Sequence, residues 1–321
     1  MTDLPRIVRC AVAQMAGVSL QDRKSDVVDR MVALLDRAAD DGARFVAFPE
    51  LALTTFFPRY WFEDEKDVGR FFEEAMPSPE TMPLFGRARE RSVAFTFGYA
   101  ERTAQARFNS SILVTPDGSI AGRYHKVHLP GHADNRPHLP FQHLEKRYFS
   151  VSDTGFQTWP LLDMQVGLCI CNDRRWPETY RVLALRGAEL VALGYNTPTP
   201  DTDYPAPDHL AMFHHLLSLQ AGAYQNGLWV LAAAKAGWED GHHLMGGSCI
   251  VAPTGEIAVR AIGEGDEVLV YDCDLNLGRT IRDHIFDFAA HRRVEHYGPI
   301  VEQTTTESAP APGDAKSRPV S

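Results

Sequence analysis

Two stretches of this 321-residue chain recur later in it in weakened form, and that duplication restricts the fold more than any single motif. Ser111-Ile-Leu-Val-Thr-Pro-Asp-Gly-Ser-Ile-Ala-Gly-Arg123 lines up with Ser248-Cys-Ile-Val-Ala-Pro-Thr-Gly-Glu-Ile-Ala-Val-Arg260. Gly42-Ala-Arg-Phe-Val-Ala47 lines up with Gly187-Ala-Glu-Leu-Val-Ala192 at a similar offset. In the first pair a Pro-x-Gly turn divides two apolar runs, which is hairpin chemistry. Such turns also recur by chance, but two separate elements sharing nearly one offset favour a half-domain of strand, helix, strand and hairpin used twice. The expectation is α/β: two similar sheets packed together under their own outer helices, a four-layer αββα sandwich with an internal pseudo-repeat, in a single domain over residues 1–302.

The segments between these matches fit that plan. Ile7–Met15, Phe45–Pro49, Val93–Tyr99, Met164–Cys171, Glu189–Gly194 and Leu228–Ala234 are short apolar runs that predict buried strands. Val27, Val28, Met31, Leu34, Leu35 and Ala38 repeat at helical spacing over Asp26–Asp41, with Ser25 or Asp26 as cap and Gly42 as stop. Further helices are predicted at Pro177–Arg186, Asp208–Asn226 and Leu277–Ala290. Residues 303–321, with Thr304-Thr-Thr306 and Ala309-Pro-Ala-Pro-Gly313, lack apolar periodicity and predict a disordered tail.

Composition narrows the function. Lys and Arg total 32 against 42 Asp and Glu, a net charge of −10 with no basic block, which argues against nucleic acid or an anionic membrane as partner. The longest apolar stretches, such as Leu228–Ala234, fall far short of a membrane span. Asp3, Arg6 and Arg9 precede any apolar run, so no signal peptide is visible. Five cysteines, an odd number, speak for a reducing compartment rather than a disulfide framework. A cytoplasmic enzyme acting on a small molecule is the expectation.

Three segments stand out where strand-like runs stop: Phe48-Pro49-Glu50, Tyr124-His-Lys126-Val-His128-Leu-Pro-Gly131, and Gly167-Leu-Cys-Ile-Cys171-Asn-Asp-Arg-Arg-Trp-Pro-Glu178. A cysteine between a strand and a helix start feels the positive helix end, which favours thiolate. Backbone N–H groups of the same turn can receive an oxyanion. A carboxylate can take the thiol proton and a lysine can neutralise developing negative charge. Taken singly, Glu50 reads as a solvated turn residue, Lys126 as a surface charge and Cys171 as a small buried hydrophobe. In combination they are the parts for acyl transfer through a thioester.

The order and spacing of these motifs resemble the nitrilase, or carbon–nitrogen hydrolase, superfamily. The longer strings Phe48-Pro-Glu-Leu-Ala-Leu-Thr-Thr-Phe-Phe-Pro58, Pro140-Phe-Gln-His-Leu-Glu-Lys-Arg-Tyr-Phe149 and Cys171-Asn-Asp-Arg-Arg-Trp-Pro-Glu-Thr179 are similar to the N-carbamoyl-D-amino-acid amidohydrolases. The resemblance implies a nitrilase-like αββα sandwich, Glu50 as general base, Lys126 as oxyanion stabiliser, Cys171 as nucleophile and Glu145 as a second glutamate. It implies no cofactor and no metal, a small ureido substrate, and assembly as a homodimer or homotetramer. The expected reaction takes N-carbamoyl-D-amino acids to D-amino acid, ammonia and carbon dioxide. N-carbamoyl-β-alanine, N-carbamoylputrescine or an aliphatic amide is the alternative substrate, and an inactive interaction protein on the same fold the alternative from another class.

A planar guanidinium suits a substrate carboxylate, so Arg174 and Arg175 are expected near substrate, Arg174 ahead of Arg175, with at least one bracing the nucleophile turn. Asn172, Asn196 and Thr197 are further substrate candidates, although Asn-Thr-Pro also reads as a plain turn. His128, His143, His214 and His215 lack zinc spacing; by resemblance His128, His143 and His215 fall around the site. Segments Pro198–Asp208 and Trp238–Gly247 depart from the family pattern.

Overall fold

The computed structural model describes residues 4–139, 141–199 and 209–306. In chain order the first half comprises β1 (Ile7–Ala16), α1 (Lys24–Asp40), β2 (Phe45–Ala47), α2 (Glu65–Gly69), β3 (Phe72–Glu73), α3 (Met82–Arg91), β4 (Ala94–Arg102), β5 (Arg107–Val114) and β6 (Ile120–His125). A connection with α4 (Glu145–Tyr148) and β7 (Thr158–Leu161) follows. The second half comprises β8 (Met164–Ile170), α5 (Pro177–Leu185), β9 (Leu190–Tyr195), β10 (Pro198–Thr199), α6 (His209–Asn226), β11 (Trp229–Glu239), β12 (His242–Met245), β13 (Cys249–Val251) and β14 (Ile257–Arg260). Then come β15 (Glu267–Asp274) and α7 (Leu275–His284).

The duplication is real in three dimensions. One half-sheet runs β15-β1-β2-β4-β5-β6 and the other β7-β8-β9-β11-β13-β14, with parallel strands inside and antiparallel ones at the edges in both. They join where the end of β1, an interior strand of the first, pairs with β11, an interior strand of the second, at Met15–Lys235 and Ala16–Ala236. Even the irregularities repeat: the hairpin register slips at Leu113/Val114 and again at Ile250/Val251. Gly118 and Gly255, at equivalent turn positions, share φ values of 84° and 85°, a region where a side chain is strained.

Both faces of the central strands are covered, which is why they read as unbroken apolar runs. On β1, Ala11, Ala13 and Met15 face outward against Val28, Met31 and Leu35 of α1, while Cys10 and Val12 face the second sheet. Leu183 of α5 and Leu219 and Ala223 of α6 cover the outer side of that sheet. The four-layer αββα expectation therefore holds.

Two local expectations change. α1 begins at Lys24 behind Arg23, which pairs with Asp26 at 2.6 Å, so neither Ser25 nor Asp26 caps it. The last helix stops at His284 instead of running to Ala290, and Asp287 caps a separate short turn at Phe288–His291. Trp238–Gly247 is largely the β11–β12 hairpin. Of Pro198–Asp208, residues 200–208 lie outside the described residues, as does 307–321 of the expected tail; residues 303–306 are exposed. Among the described residues no helix is long and apolar enough to cross a membrane.

The far ends of β4, β5 and β6 are locked by charge. Glu101 accepts from Ser110 Oγ at 2.6 Å and meets Arg123 Nη1 at 2.6 Å and His125 Nε2 at 3.0 Å, and His125 Nδ1 faces Asp153 at 2.7 Å. Burial pulls His125's pKa down, but Glu101 and Asp153 outweigh it and hold it above the usual range.

Two predictions follow from this architecture. A Cβ on Gly194 would lie 2.4 Å from the backbone N of Glu50, while one on Gly86, inside α3, would meet nothing within 4 Å. Gly194→Ala should cost about 1–3 kcal/mol through forced backbone movement, and Gly86→Ala should add roughly 0.5–1 kcal/mol; opposite shifts in thermal unfolding check this. Because His125's folded pKa is raised, its stabilising effect is complete below about pH 6.5 and is lost as pH rises through the folded value. The unfolding free-energy gap between wild type and His125→Gln should be widest near pH 6 and narrow by about pH 9.

Candidate active site

Four strand ends and one short helix converge on a single point, the carboxyl-end position where open α/β sheets bind ligands. Glu50 follows β2, Lys126 follows β6, Cys171 follows β8, Asn196 follows β9, and Glu145 opens α4. Lys126 Nζ donates to Glu50 Oε1 at 2.8 Å and to Glu145 Oε1 and Oε2 at 2.9 and 2.7 Å. All three side chains are shut off from solvent, with Lys126 at 1% exposure and both glutamates at 0%. Burial works against the ammonium, but Glu145 and Glu50 outweigh it and raise its pKa. Burial pushes Glu145's carboxyl upward; Lys126 opposes this and the like charge of Glu50 adds to it.

The nucleophile candidate sits in a strained turn. Cys171 has φ of 45°, a left-handed value rare for a residue with a side chain, and opens a single 3-10 turn, Cys171–Arg175. Asp173 ties this turn to the lysine strand: it accepts from Ile170 N at 3.0 Å, Tyr124 Oη at 2.7 Å and His128 N at 2.9 Å. Cys171 Sγ donates to Asn196 O at 3.5 Å. Asn196's own N–H donates to Glu50 Oε2 at 3.1 Å, so one peptide segment touches both base and thiol. The helix-start argument for a thiolate fails here. Burial first, then Glu50's charge, push the thiol pKa up, and Lys126 and Arg174 bring it only part of the way back.

A cavity of about 240 Å³ opens over this cluster, walled by Cys171, Glu145, Asn172, Arg175, Asn196 and Thr197, with Phe56, Pro130, Gly131, His143 and Pro198 completing it. Asn172, Arg175, Asn196, Thr197 and His143 thus lie where a substrate would. The expected order of the two arginines is reversed. Arg174 is absent from the wall and 2% exposed; its guanidinium donates to Cys171 O at 2.7 Å, Thr197 Oγ1 at 2.9 Å and His215 Nδ1 at 3.0 Å. It braces the nucleophile turn, while its neighbour on the tight turn points to the cavity. His215, held neutral by burial and by Arg174, serves that brace and does not line the cavity. His128 also lies off the wall, bonded to Asp173 at 2.8 Å and stacked on Trp176 at 4.8 Å. Asn196 lines the cavity, yet its amide is committed to Glu50 O at 2.8 Å and Lys235 N at 3.3 Å. Among the described residues no group of three or more His, Cys, Asp or Glu side chains could hold a metal ion.

Sequence reasoning overlooked Asn109, buried on β5 with its amide on both glutamates, because it lies inside a strand rather than at its end. It also gave Phe56 no part in the site. Phe56 is carried into the cavity wall by a loop anchored on buried Glu239, which accepts from Phe56 N at 2.8 Å and pairs with Arg59 and with Lys235.

The family profile for carbon-nitrogen hydrolases matches residues 9–283. Sequence relatives include a nitrilase from Pyrococcus abyssi, 32% identical over 295 residues and covering 91% of this chain and 99% of the relative. Another is a citrullinase from Francisella tularensis, 29% identical over 307 residues and covering 92% and 99%. Among solved structures, a carbon-nitrogen hydrolase from Helicobacter pylori G27 shares the fold with a TM-score of 0.79 at 23% identity, covering 92% of this chain and 99% of that one. The chain belongs to the carbon-nitrogen hydrolase family, enzymes that act on non-peptide carbon–nitrogen bonds.

Proposed function

We propose that the protein hydrolyses N-carbamoyl-D-amino acids to the D-amino acid, ammonia and carbon dioxide through a thioester at Cys171. The observation that carries this reading is a single small cavity whose wall holds both the Cys171 thiol and the Arg175 guanidinium. A ureido carbonyl and a carboxylate in one small molecule match those two groups. The similarity of the Cys171–Thr179 string to amidohydrolases of this specificity supports the D configuration.

In this mechanism Glu50 takes the thiol proton as Sγ attacks the ureido carbon. A raised thiol pKa makes that base necessary, since little thiolate is present beforehand. The carbonyl oxygen becomes an oxyanion beside the Lys126 ammonium and the backbone N–H groups of the Cys171 turn. The C–N bond then breaks and Glu50 returns the proton to the departing nitrogen. Water, deprotonated with help from Glu145, attacks the remaining S-carbamoyl carbon; the C–S bond breaks, sulfur recovers its proton, and the released carbamate splits into carbon dioxide and the second nitrogen product. Water and the ureido compound are consumed; amine, ammonia and carbon dioxide leave.

A second reading is hydrolysis of another ureido or amide compound. The relative named a citrullinase favours it, since citrulline carries its ureido group on the side chain. Arg175 disfavours the cationic N-carbamoylputrescine. Ammonia release from a panel of N-carbamoyl-D- and L-amino acids, N-carbamoyl-β-alanine, citrulline, N-carbamoylputrescine and an aliphatic amide separates these readings and the inactive-protein alternative. Faster turnover of any compound other than an N-carbamoyl-D-amino acid overturns the first.

Cys171→Ala should bind substrate and release no ammonia. Lys126→Met should lower turnover by two or more orders of magnitude, the equivalent of roughly 3–4 kcal/mol; a drop under about tenfold overturns the lysine's role.

The arginines give a sharper test. Lysine keeps the charge but loses the planar fork. Arg175→Lys should lower kcat/KM for N-carbamoyl amino acids by roughly 1.5–3 kcal/mol, or about tenfold to a hundredfold, and leave a neutral amide unaffected. Arg174→Lys should lower both rates together, because it disturbs the nucleophile turn. An unchanged anionic-to-neutral rate ratio in Arg175→Lys overturns the carboxylate contact.

A further inference from the structure

We infer that Asn109 is a positioning residue of this site: its side-chain amide bridges Glu50 and Glu145, holds the two carboxylates around the Lys126 ammonium, and leaves Glu50 Oε2 as the oxygen that takes the thiol proton. Asn109 lies on β5 with 0% exposure. Nδ2 donates to Glu50 Oε1 at 2.8 Å and to Glu145 Oε2 at 3.3 Å. Lys126 Nζ donates to the same two oxygens at 2.8 and 2.7 Å. Two donors and two acceptors therefore alternate around a closed ring. Asn109 also holds the strand end that delivers the ammonium, because its backbone carbonyl accepts the Lys126 N–H at 2.9 Å.

The ring makes the two oxygens of Glu50 unequal. Oε1 accepts from both Asn109 and Lys126, whereas Oε2 accepts the N–H of Asn196, the residue whose carbonyl oxygen in turn receives the Cys171 thiol. Oε2 is thus the oxygen on the thiol's side with lone-pair capacity to spare. The ring also addresses like-charge repulsion. Donors shared between two carboxylates favour their charged forms, and removing one lets the pair take up its first proton at higher pH. The other charged or titratable groups facing the pair are Cys171 after β8, His143 before α4 and Lys235 on β11. Arg174 faces Cys171 from the same turn.

This inference rests on Glu50 acting as the base in the proposed reaction, so its test uses a readout independent of substrate. The rate of Cys171 alkylation by iodoacetamide is measured against pH in wild type, in Asn109→Leu, which keeps the volume and loses the donor, and in Asn109→Asp, which keeps the shape and loses the donor. Both variants should move the acid limb of the profile up by about one pH unit, a tenfold slower reaction on the acid side. Asn109→Ser, which retains a hydroxyl donor in less volume, should give an intermediate shift and carries the test if the leucine variant does not fold. A uniform loss of rate with the limb unmoved assigns Asn109 a purely structural role and overturns the inference, as does wild-type behaviour in all three. If wild type releases no ammonia from N-carbamoyl-D-amino acids while the alkylation limb still shifts in the variants, the substrate reading fails and the inference about Asn109 stands.

Discussion

A buried lysine ammonium sits between two equally buried carboxylates, and much of the molecule is arranged around that fact. Desolvating such ions costs several kcal/mol each, and only close geometry with every lone pair answered offsets the cost. The surrounding residues answer them: Asn109 on both glutamates, the Asn196 N–H on the remaining oxygen of Glu50, and the Asn196 amide on Glu50's backbone carbonyl. The duplicated sheets supply the rigidity, since Glu50 and Lys126 follow strand ends and α4 brings Glu145 to them.

Cys171 is handled differently. Its turn is strained, its thiol is parked on a backbone carbonyl, and a guanidinium is spent on holding it. Burial and the neighbouring charge of Glu50 thus favour the neutral thiol, and in the proposed reaction charge develops at sulfur only as the proton moves to Glu50. A buried neutral thiol is also a poor target for adventitious oxidants, whose attack follows thiolate character and exposure.

What could be read from the sequence follows from where each signal resides. The duplication, most strands, and Glu50, Lys126 and Cys171 at strand ends were visible because hairpin turns and apolar runs are local patterns. Helix α3 was not anticipated: Pro83 and Gly86 dilute its periodicity, and only Leu84, Phe85 and Ala88 mark a buried face. Asn109 was hidden because both faces of β5 are buried, so no alternation separates a residue facing the site from one facing the core. Arg174 and Arg175 are consecutive, and only the backbone of the Cys171 turn decides which goes under the nucleophile and which lines the cavity. The thiol's protonation depends on burial by segments far away in the chain, which no local pattern reports.

Glu50 comes from the first half-sheet and Cys171 from the second, and the peptide at Glu50 is wedged between Gly98 of β4 and Gly194 of β9. Among the described residues, strand pairing between the halves is limited to two register pairs. In the proposed reaction the gap between Glu50 and the Cys171 sulfur is therefore a gauge of shear between the two sheets. A slide of about 1 Å along that seam is enough to cost two orders of magnitude in rate. Pressure, heat or a contact on an outer helix that displaces one sheet against the other would be reported first in turnover, well before any strand had melted.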